Sequence, residues 1–260
     1  MSVDRISRLI VFVLGCLGTL AACDKSNDTS DVYQGPMVLA VSWQPGFCET
    51  RPRLPECRSQ NATRFDARHL ALHGLWPQPG SRSYCGVSEK EVALDKARRW
   101  RNLAPLELSK TVRDTLERIM PGARSHLHRH EWVKHGTCYS DQPEIYYRDS
   151  LLLMDQLNTS PIQQLFSRSI GAYLSAMKIR ASFDSTYGKG AGKRVRVACK
   201  RDGNRTIITE ITIGLAGSIS EDSKIGGLIL ASPETRRGCP GGIVDAVGFG
   251  NYFPVRNITG

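Results

Sequence analysis

Two short strings carry the side chains able to do chemistry: His73-Gly74-Leu75-Trp76-Pro77-Gln78 and His130-Glu131-Trp132-Val133-Lys134-His135-Gly136-Thr137-Cys138. Together they supply three imidazoles, one carboxylate and one ammonium. Imidazoles titrate near neutrality, so one can take a proton while another gives one. A carboxylate and a cation beside them can steady charge that develops in a transition state. Such an inventory suits cleavage of a phosphodiester by an adjacent 2′-hydroxyl. That reaction needs a base for the attacking hydroxyl, an acid for the departing 5′-oxygen and partners for the crowded phosphorane. The side chains of His73, His130, Glu131, Lys134 and His135 fill those places without a metal or another cofactor.

A zinc hydrolase is the competing reading of the same residues. His126, His128 and His130 alternate, and His130-Glu131 opens like the metalloprotease signature H-E-x-x-H. That signature needs its second histidine where Lys134 stands; His135 comes one residue later. A lysine in the ligand shell would also oppose the charge of a zinc ion, and no CxxC pair exists to build a ribbon. The metal reading therefore ranks last. His69, His126 and His128 read as surface residues, Trp43 and Trp132 as core, and Arg98-Arg99-Trp100-Arg101 as a solvated face.

Positioning these groups falls to several elements. On a helix, Glu131 and His135 lie four apart, as do His130 and Lys134, so each pair shares a face and the faces adjoin. His73 must arrive from elsewhere in the chain. Residues 37–43 (Met-Val-Leu-Ala-Val-Ser-Trp) form a buried strand stopped by Pro45-Gly46. Residues 109–120 place Val112, Leu116 and Ile119 on one face and end at Pro121-Gly122, an amphipathic helix. A second helix covers 145–157. Strands at 195–199 and 206–213 flank Arg201-Asp202-Gly203-Asn204, a hairpin signal. Strands, then helices, then strands predict an α+β fold with a central antiparallel β-sheet flanked by helices.

The balance of 35 Lys+Arg against 25 Asp+Glu favours a polyanionic partner. At the N-terminus, Arg5 and Arg8 precede an apolar run over 9–22, which reads as an export signal. The run ends Leu20-Ala21-Ala22-Cys23 and resembles the lipobox of bacterial lipoproteins, which implies a lipid on Cys23. The expected organisation is a signal over 1–22, a flexible tether over 23–35 and one catalytic domain over 36–260. The protein would then be periplasmic and membrane-tethered, with a secreted soluble form as the alternative. Beyond Cys16 in the signal and Cys23, six cysteines remain, an even number in an exported chain that argues for disulfides.

The two strings resemble the catalytic signatures of the ribonuclease T2 family. Val41-Ser42-Trp43-Gln44-Pro45-Gly46-Phe47-Cys48 is similar to that family's first core strand and following cysteine, and the likeness spans roughly residues 37–253. The resemblance implies a disulfide-stapled α+β endoribonuclease that cuts single-stranded RNA through a 2′,3′-cyclic phosphate and works without a metal; a monomer is the default expectation. It makes His135 the base, His73 the acid, His130 the phosphate holder, and Glu131 and Lys134 the partners of the phosphorane. It also implies RNA contacts at Trp76, Gln44 and Tyr84, and disulfides Cys48–Cys57, Cys85–Cys138 and Cys199–Cys239. Family members often place an acid shortly after the Trp-Pro pair; Gln78 and Pro79 stand here, which predicts little base preference. A catalytically silent RNA-binding or envelope-interaction module on the same scaffold is the rival, and the complete set of acid–base residues argues against it.

Overall fold

The computed structural model describes residues 32–249. The export signal, Cys23 and the tether up to residue 31 lie outside the described residues. The strands are β1 (Met37–Ser42), β2 (Ala71–Pro77), β3 (Tyr173–Ser175), β4 (Val195–Asp202), β5 (Arg205–Leu215) and β6 (Gly241–Ile243). They form one sheet in the order β2-β1-β5-β6-β3, with β4 also paired to β5. The β2-β1-β5-β4 part is antiparallel, as expected; β6 meets β5 in parallel at Ile207 and Ile243, so the whole sheet is mixed. Strands β4 and β5 turn at Gly203-Asn204 and run longer than their apolar pattern on both sides of the turn. Gly203 takes a φ of +54°, which few other residues tolerate.

The helices are α1 (Gln44–Glu49), α2 (Pro55–Arg58), α3 (Glu89–Lys96), α4 (Lys110–Ile119), α5 (Leu127–Lys134), α6 (Pro143–Asn158), α7 (Pro161–Arg168), α8 (Ala176–Tyr187) and α9 (Ile225–Ala231). Local chemistry sets their starts. Ser88 and Glu91 close a capping box on α3, and the Ser109 hydroxyl caps α4. Proline occupies the first turn of α1, α2, α6 and α7, where no amide donor is needed.

The core lies between the sheet and helices α6 to α9. It includes Leu39, Val41, Leu75, Phe166, Phe183 and Ile211, each at most 1% exposed. Trp43 belongs to it and donates its indole N–H to the Asp245 carbonyl at 2.8 Å. Trp132 is half-buried against Tyr146, with ring centroids 6.0 Å apart. Helix α6 locks the outer strand β2, because the Tyr146 hydroxyl accepts from Leu75 N at 3.1 Å and donates to Leu75 O at 3.0 Å. An edge peptide that would otherwise be left without partners is thus satisfied from inside the core.

Three disulfides staple this frame: Cys48–Cys57 joins α1 to α2, Cys199–Cys239 joins β4 to the approach of β6, and Cys85–Cys138 joins the loop after β2 to the turn after α5. Helix α5 is shorter than the even spacing of its residues suggests. It ends at Lys134, and His135 caps it with φ −120° and ψ −43° while still donating its amide to the Glu131 carbonyl at 3.0 Å. The next residue must be small: a Cβ on Gly136 would stand 2.4 Å from the Trp132 ring.

Candidate active site

A single irregularity in β2 sets up the site. Gly74 pairs with Ala40 and Leu72 with Val41, which leaves His73 as an extra residue between them. In an unbroken strand His73 and Trp76 would point to opposite faces; a bulge resets the alternation. Both side chains are partly exposed between buried neighbours, and their rings meet edge-on at 5.2 Å.

Helix α5 presents the Glu131 carboxylate to this pair. The Trp76 indole donates to Oε2 at 2.7 Å, while Oε1 stands 3.5 Å from His73 Nε2 and 3.7 Å from His130 Nε2. Gly74 makes room for that approach, since a Cβ there would sit 2.0 Å from Glu131 Oε2 and 2.6 Å from Trp76 Nε1. Glu131 is 1% exposed. Burial raises its carboxyl above the usual range, and the two histidines and the indole N–H only partly offset this.

Each of the two facing imidazoles is held from behind by a carboxylate. His73 Nδ1 lies 2.7 Å from Glu210 Oε2, reached from β5 across β1. His130 Nδ1 lies 2.6 Å from Asp95 Oδ1 on α3. The Tyr84 hydroxyl donates to the other Asp95 oxygen at 2.8 Å, and Trp100 lies over the His130 ring at 4.8 Å with 25° between the planes. Such a partner fixes the tautomer and turns Nε2 toward the reacting side. Burial alone would lower His73; the Glu210 bond and the charges of Glu131 and Glu210 outweigh it and hold the ring above the ordinary histidine value. In Asp95, burial works upward, but the His130 and Tyr84 bonds prevail and the carboxyl sits low.

His135 has the opposite surroundings. It is 9% exposed, lies 5.3 Å from the Trp76 ring and has its Nδ1 sealed from solvent without a partner. Burial, and then the positive groups Lys134, His130 and His73, press it down to about 3. Two histidines on one tryptophan thus titrate far apart, the arrangement that separates an acid from a base.

In front of this cluster is a cavity of about 670 Å³ with His73, His130 and Lys134 in its wall and Gln44, Tyr84 and Trp100 around them. The Gln44 amide reaches Cys48 Sγ at 3.5 Å. Glu131, His135 and Trp76 are not in that wall. Among the described residues, no three His, Cys, Asp or Glu side chains are grouped to hold a metal ion.

The ribonuclease T2 family model matches residues 34–225. The chain belongs to the ribonuclease T2 family. Ribonuclease I of Escherichia coli (strain K12) is 34% identical over 199 residues, 68% of this chain and 74% of that one. Intracellular ribonuclease LX of Solanum lycopersicum is 24% identical over 202 residues, 74% of each chain. A point mutant of RNase MC1 solved in complex with 5′-UMP matches with a TM-score of 0.53 at 16% identity, over 82% of this chain and 99% of that one. Actibind, a T2 ribonuclease, matches with a TM-score of 0.51 at 13% identity, over 88% and 95%. As a ribonuclease T2 the protein is an endoribonuclease acting on RNA, and its disulfides are those of a chain made for an oxidising compartment.

Three residues of this ribonuclease T2 site escape a reading of its sequence. Glu210 has a signal: it is a lone carboxylate in Ile207-Ile208-Thr209-Glu210-Ile211-Thr212-Ile213, where a charge needs a partner. Asp95 sits in a helix that is polar on most sides and carries none. Trp100 reads as part of a solvated Arg-rich face, and that reading is corrected: its ring covers His130, and its indole donates to the Asp95 carbonyl at 3.3 Å. His69, His126 and His128 are half-buried at the surface.

Proposed function

We propose that this endoribonuclease cleaves single-stranded RNA by metal-independent transfer of two protons. His135 takes the proton of the 2′-hydroxyl as its oxygen bonds to phosphorus. His73 gives its Nε2 proton to the 5′-oxygen as the P–O bond breaks. The products are a 2′,3′-cyclic phosphate and a 5′-hydroxyl end; in the slower hydrolysis of the ring the two roles reverse. His130 holds the phosphate, Glu131 and Lys134 stabilise the phosphorane, and Glu210 and Asp95 position His73 and His130. The observation that carries this reading is the opposite pull on the two imidazoles: His73 is held above the histidine norm and His135 is pressed to about 3. One is charged and the other neutral in the same pH range, as an acid and a base must be.

Trp76 joins the cluster from behind, by its bond to Glu131, and its half-exposed ring leaves surface on which any base can stack. Gln44 and Tyr84 contact RNA from the cavity wall. Base preference is weak, because the neutral Gln78 stands after Trp76-Pro77 where an acid would read a base edge, and its Nε2 donates to the Trp76 carbonyl at 3.2 Å. The export signal and lipobox support a periplasmic enzyme tethered through lipid on Cys23, and a monomer is the default.

The test is an RNA-cleavage assay with EDTA present, followed by end-group analysis. Cyclic-phosphate ends, with DNA left intact for want of a 2′-hydroxyl, are expected. Cleavage that stops in chelator, or leaves 5′-phosphates, would refute the mechanism. For the tether, the Cys23→Ser protein should leave the membrane fraction.

A further inference from the structure

Helix α5 has a second cavity on its other side. It measures about 440 Å³ and takes its charge from Arg113, Arg124 and Arg129, against Glu117 as the single acid in its wall; His126 and His128 line it too, but burial and the neighbouring arginines hold both below the ordinary histidine value. Pro105, Leu106 and Leu108 give it an apolar side. A volume in this range fits a ligand of nucleotide size.

The two cavities share a wall. Along residues 122–130, Gly122, Ser125, Leu127 and His130 line the catalytic cavity, while Ala123, Arg124, His126, His128 and Arg129 line the second. A ligand held in one is therefore separated from the other by about one helix diameter, roughly 10–12 Å. Its donors are held in place: Arg129 Nη1 is fixed by the Arg101 and Leu103 carbonyls at 3.0 and 2.7 Å, and the ring of His128 is packed in the wall. Arg129 Nε and His128 Nδ1 are sealed from solvent behind this wall, so the groups that face the cavity are the guanidinium ends and the apolar side. Arg113 and Arg124 are exposed at the rim. Fixed guanidinium groups beside an apolar surface are what a phosphate with its sugar and base would meet.

We infer that this second cavity is an outer RNA subsite, holding a backbone phosphate and its nucleoside a few nucleotides along the strand from the bond being cut. The inference rests on the ribonuclease reading for its ligand class. A substrate long enough to cross the wall gains affinity there, whereas a dinucleoside monophosphate fills the catalytic cavity alone. The chemistry step is the same for both.

The experiment compares wild type with the Arg113→Gln/Arg124→Gln double variant on two substrates, a 20-nucleotide RNA and a dinucleoside monophosphate, over a salt series. The variant should raise KM for the long RNA about tenfold, with kcat and all dinucleotide constants unchanged. The slope of log KM against log salt for the long RNA should also fall, by about 0.7 for each lost phosphate contact. Equal losses on both substrates would mean damage to the catalytic cavity and would overturn the proposal. Unchanged long-RNA kinetics would also overturn it. If the variant then loses only its binding to anionic phospholipid vesicles, the face belongs to the membrane surface. Failure of wild type to cut even the dinucleotide would instead refute the ribonuclease reading itself, so the two failures are distinct.

Discussion

The Nδ1 atom of His73 lies 2.7 Å from Oε2 of Glu210, two strands away in the sheet. The strand that carries His73, the proposed acid, therefore depends on another for the charge that favours its protonated form. Replacing Glu210 by Gln keeps the shape and removes the charge, so the His73 pKa should fall. The alkaline limb of kcat/KM should move toward acid while the acid limb stays in place. At neutral pH the loss should be about tenfold or more, because less of His73 carries its proton. A variant whose activity drops equally at every pH would show that Glu210 acts only on structure.

The same surroundings set the wild-type profile. The base must be neutral, which His135 is above about pH 3. The acid must be protonated, which His73 is up to a pH above its ordinary value of about 6.5. Hence kcat/KM should form a plateau across the acidic and near-neutral range, with its alkaline fall above about 6.5. Stability carries the same signs. Between about 3 and 6.5 the unfolded chain protonates His135 and the folded one does not, so this group's contribution is lost as pH falls through that window. His73 contributes below about 6.5 and loses that contribution as pH rises through its raised folded value. Steady-state kinetics and urea unfolding across pH check both; a fall in kcat/KM already complete below pH 5 would contradict the assignment.

Trp76→Phe keeps an aromatic ring, though a smaller one, and removes the indole N–H that meets Glu131 Oε2 at 2.7 Å. A buried carboxylate then loses its donor, at a cost of about 1–3 kcal/mol in stability. Without that bond Glu131 is less firmly oriented toward the reacting phosphate, so kcat should fall about tenfold with little change in KM. A rise in KM at constant kcat would instead make Trp76 a stacking surface alone.

Cys85–Cys138 closes a loop with a sequence separation of 53 between the segment after β2 and the end of α5. On the chain-entropy estimate its loss costs about 4 kcal/mol. The Cys85→Ala/Cys138→Ala protein should unfold at markedly lower urea. It should also lose kcat while still folded, because among the described residues no other disulfide joins the segment after β2 to the end of α5. Unaltered kcat would show that packing alone holds the two in place.

Much of the site is legible in the chain because it is local. His130, Glu131, Lys134 and His135 share one turn and its cap, and side-chain spacing says which can meet. The α+β order and the helices at 110–119 and 143–158 follow from apolar periodicity and from Ser, Pro and Gly at their ends. What spacing conceals is long-range or irregular. The bulge at His73 is a register shift between two strands, marked in the sequence only by the glycine beside it, Gly74. The Glu210 and Asp95 contacts join residues 137 and 35 apart. Trp100 lies among arginines, and only tertiary packing turns it onto His130.

The division of labour between His73 and His135 can be read with a substrate that needs no acid. Uridine 3′-(4-nitrophenyl phosphate) expels a weakly basic phenolate, whereas RNA expels an alkoxide that must be protonated. The expected result is that His73→Ala loses about 10²–10⁴-fold on RNA yet keeps most of its rate on the nitrophenyl ester, while His135→Ala loses that much on both. If His73→Ala is as impaired on the ester as on RNA, or if His135→Ala is the variant the ester rescues, the assignment of acid and base is wrong.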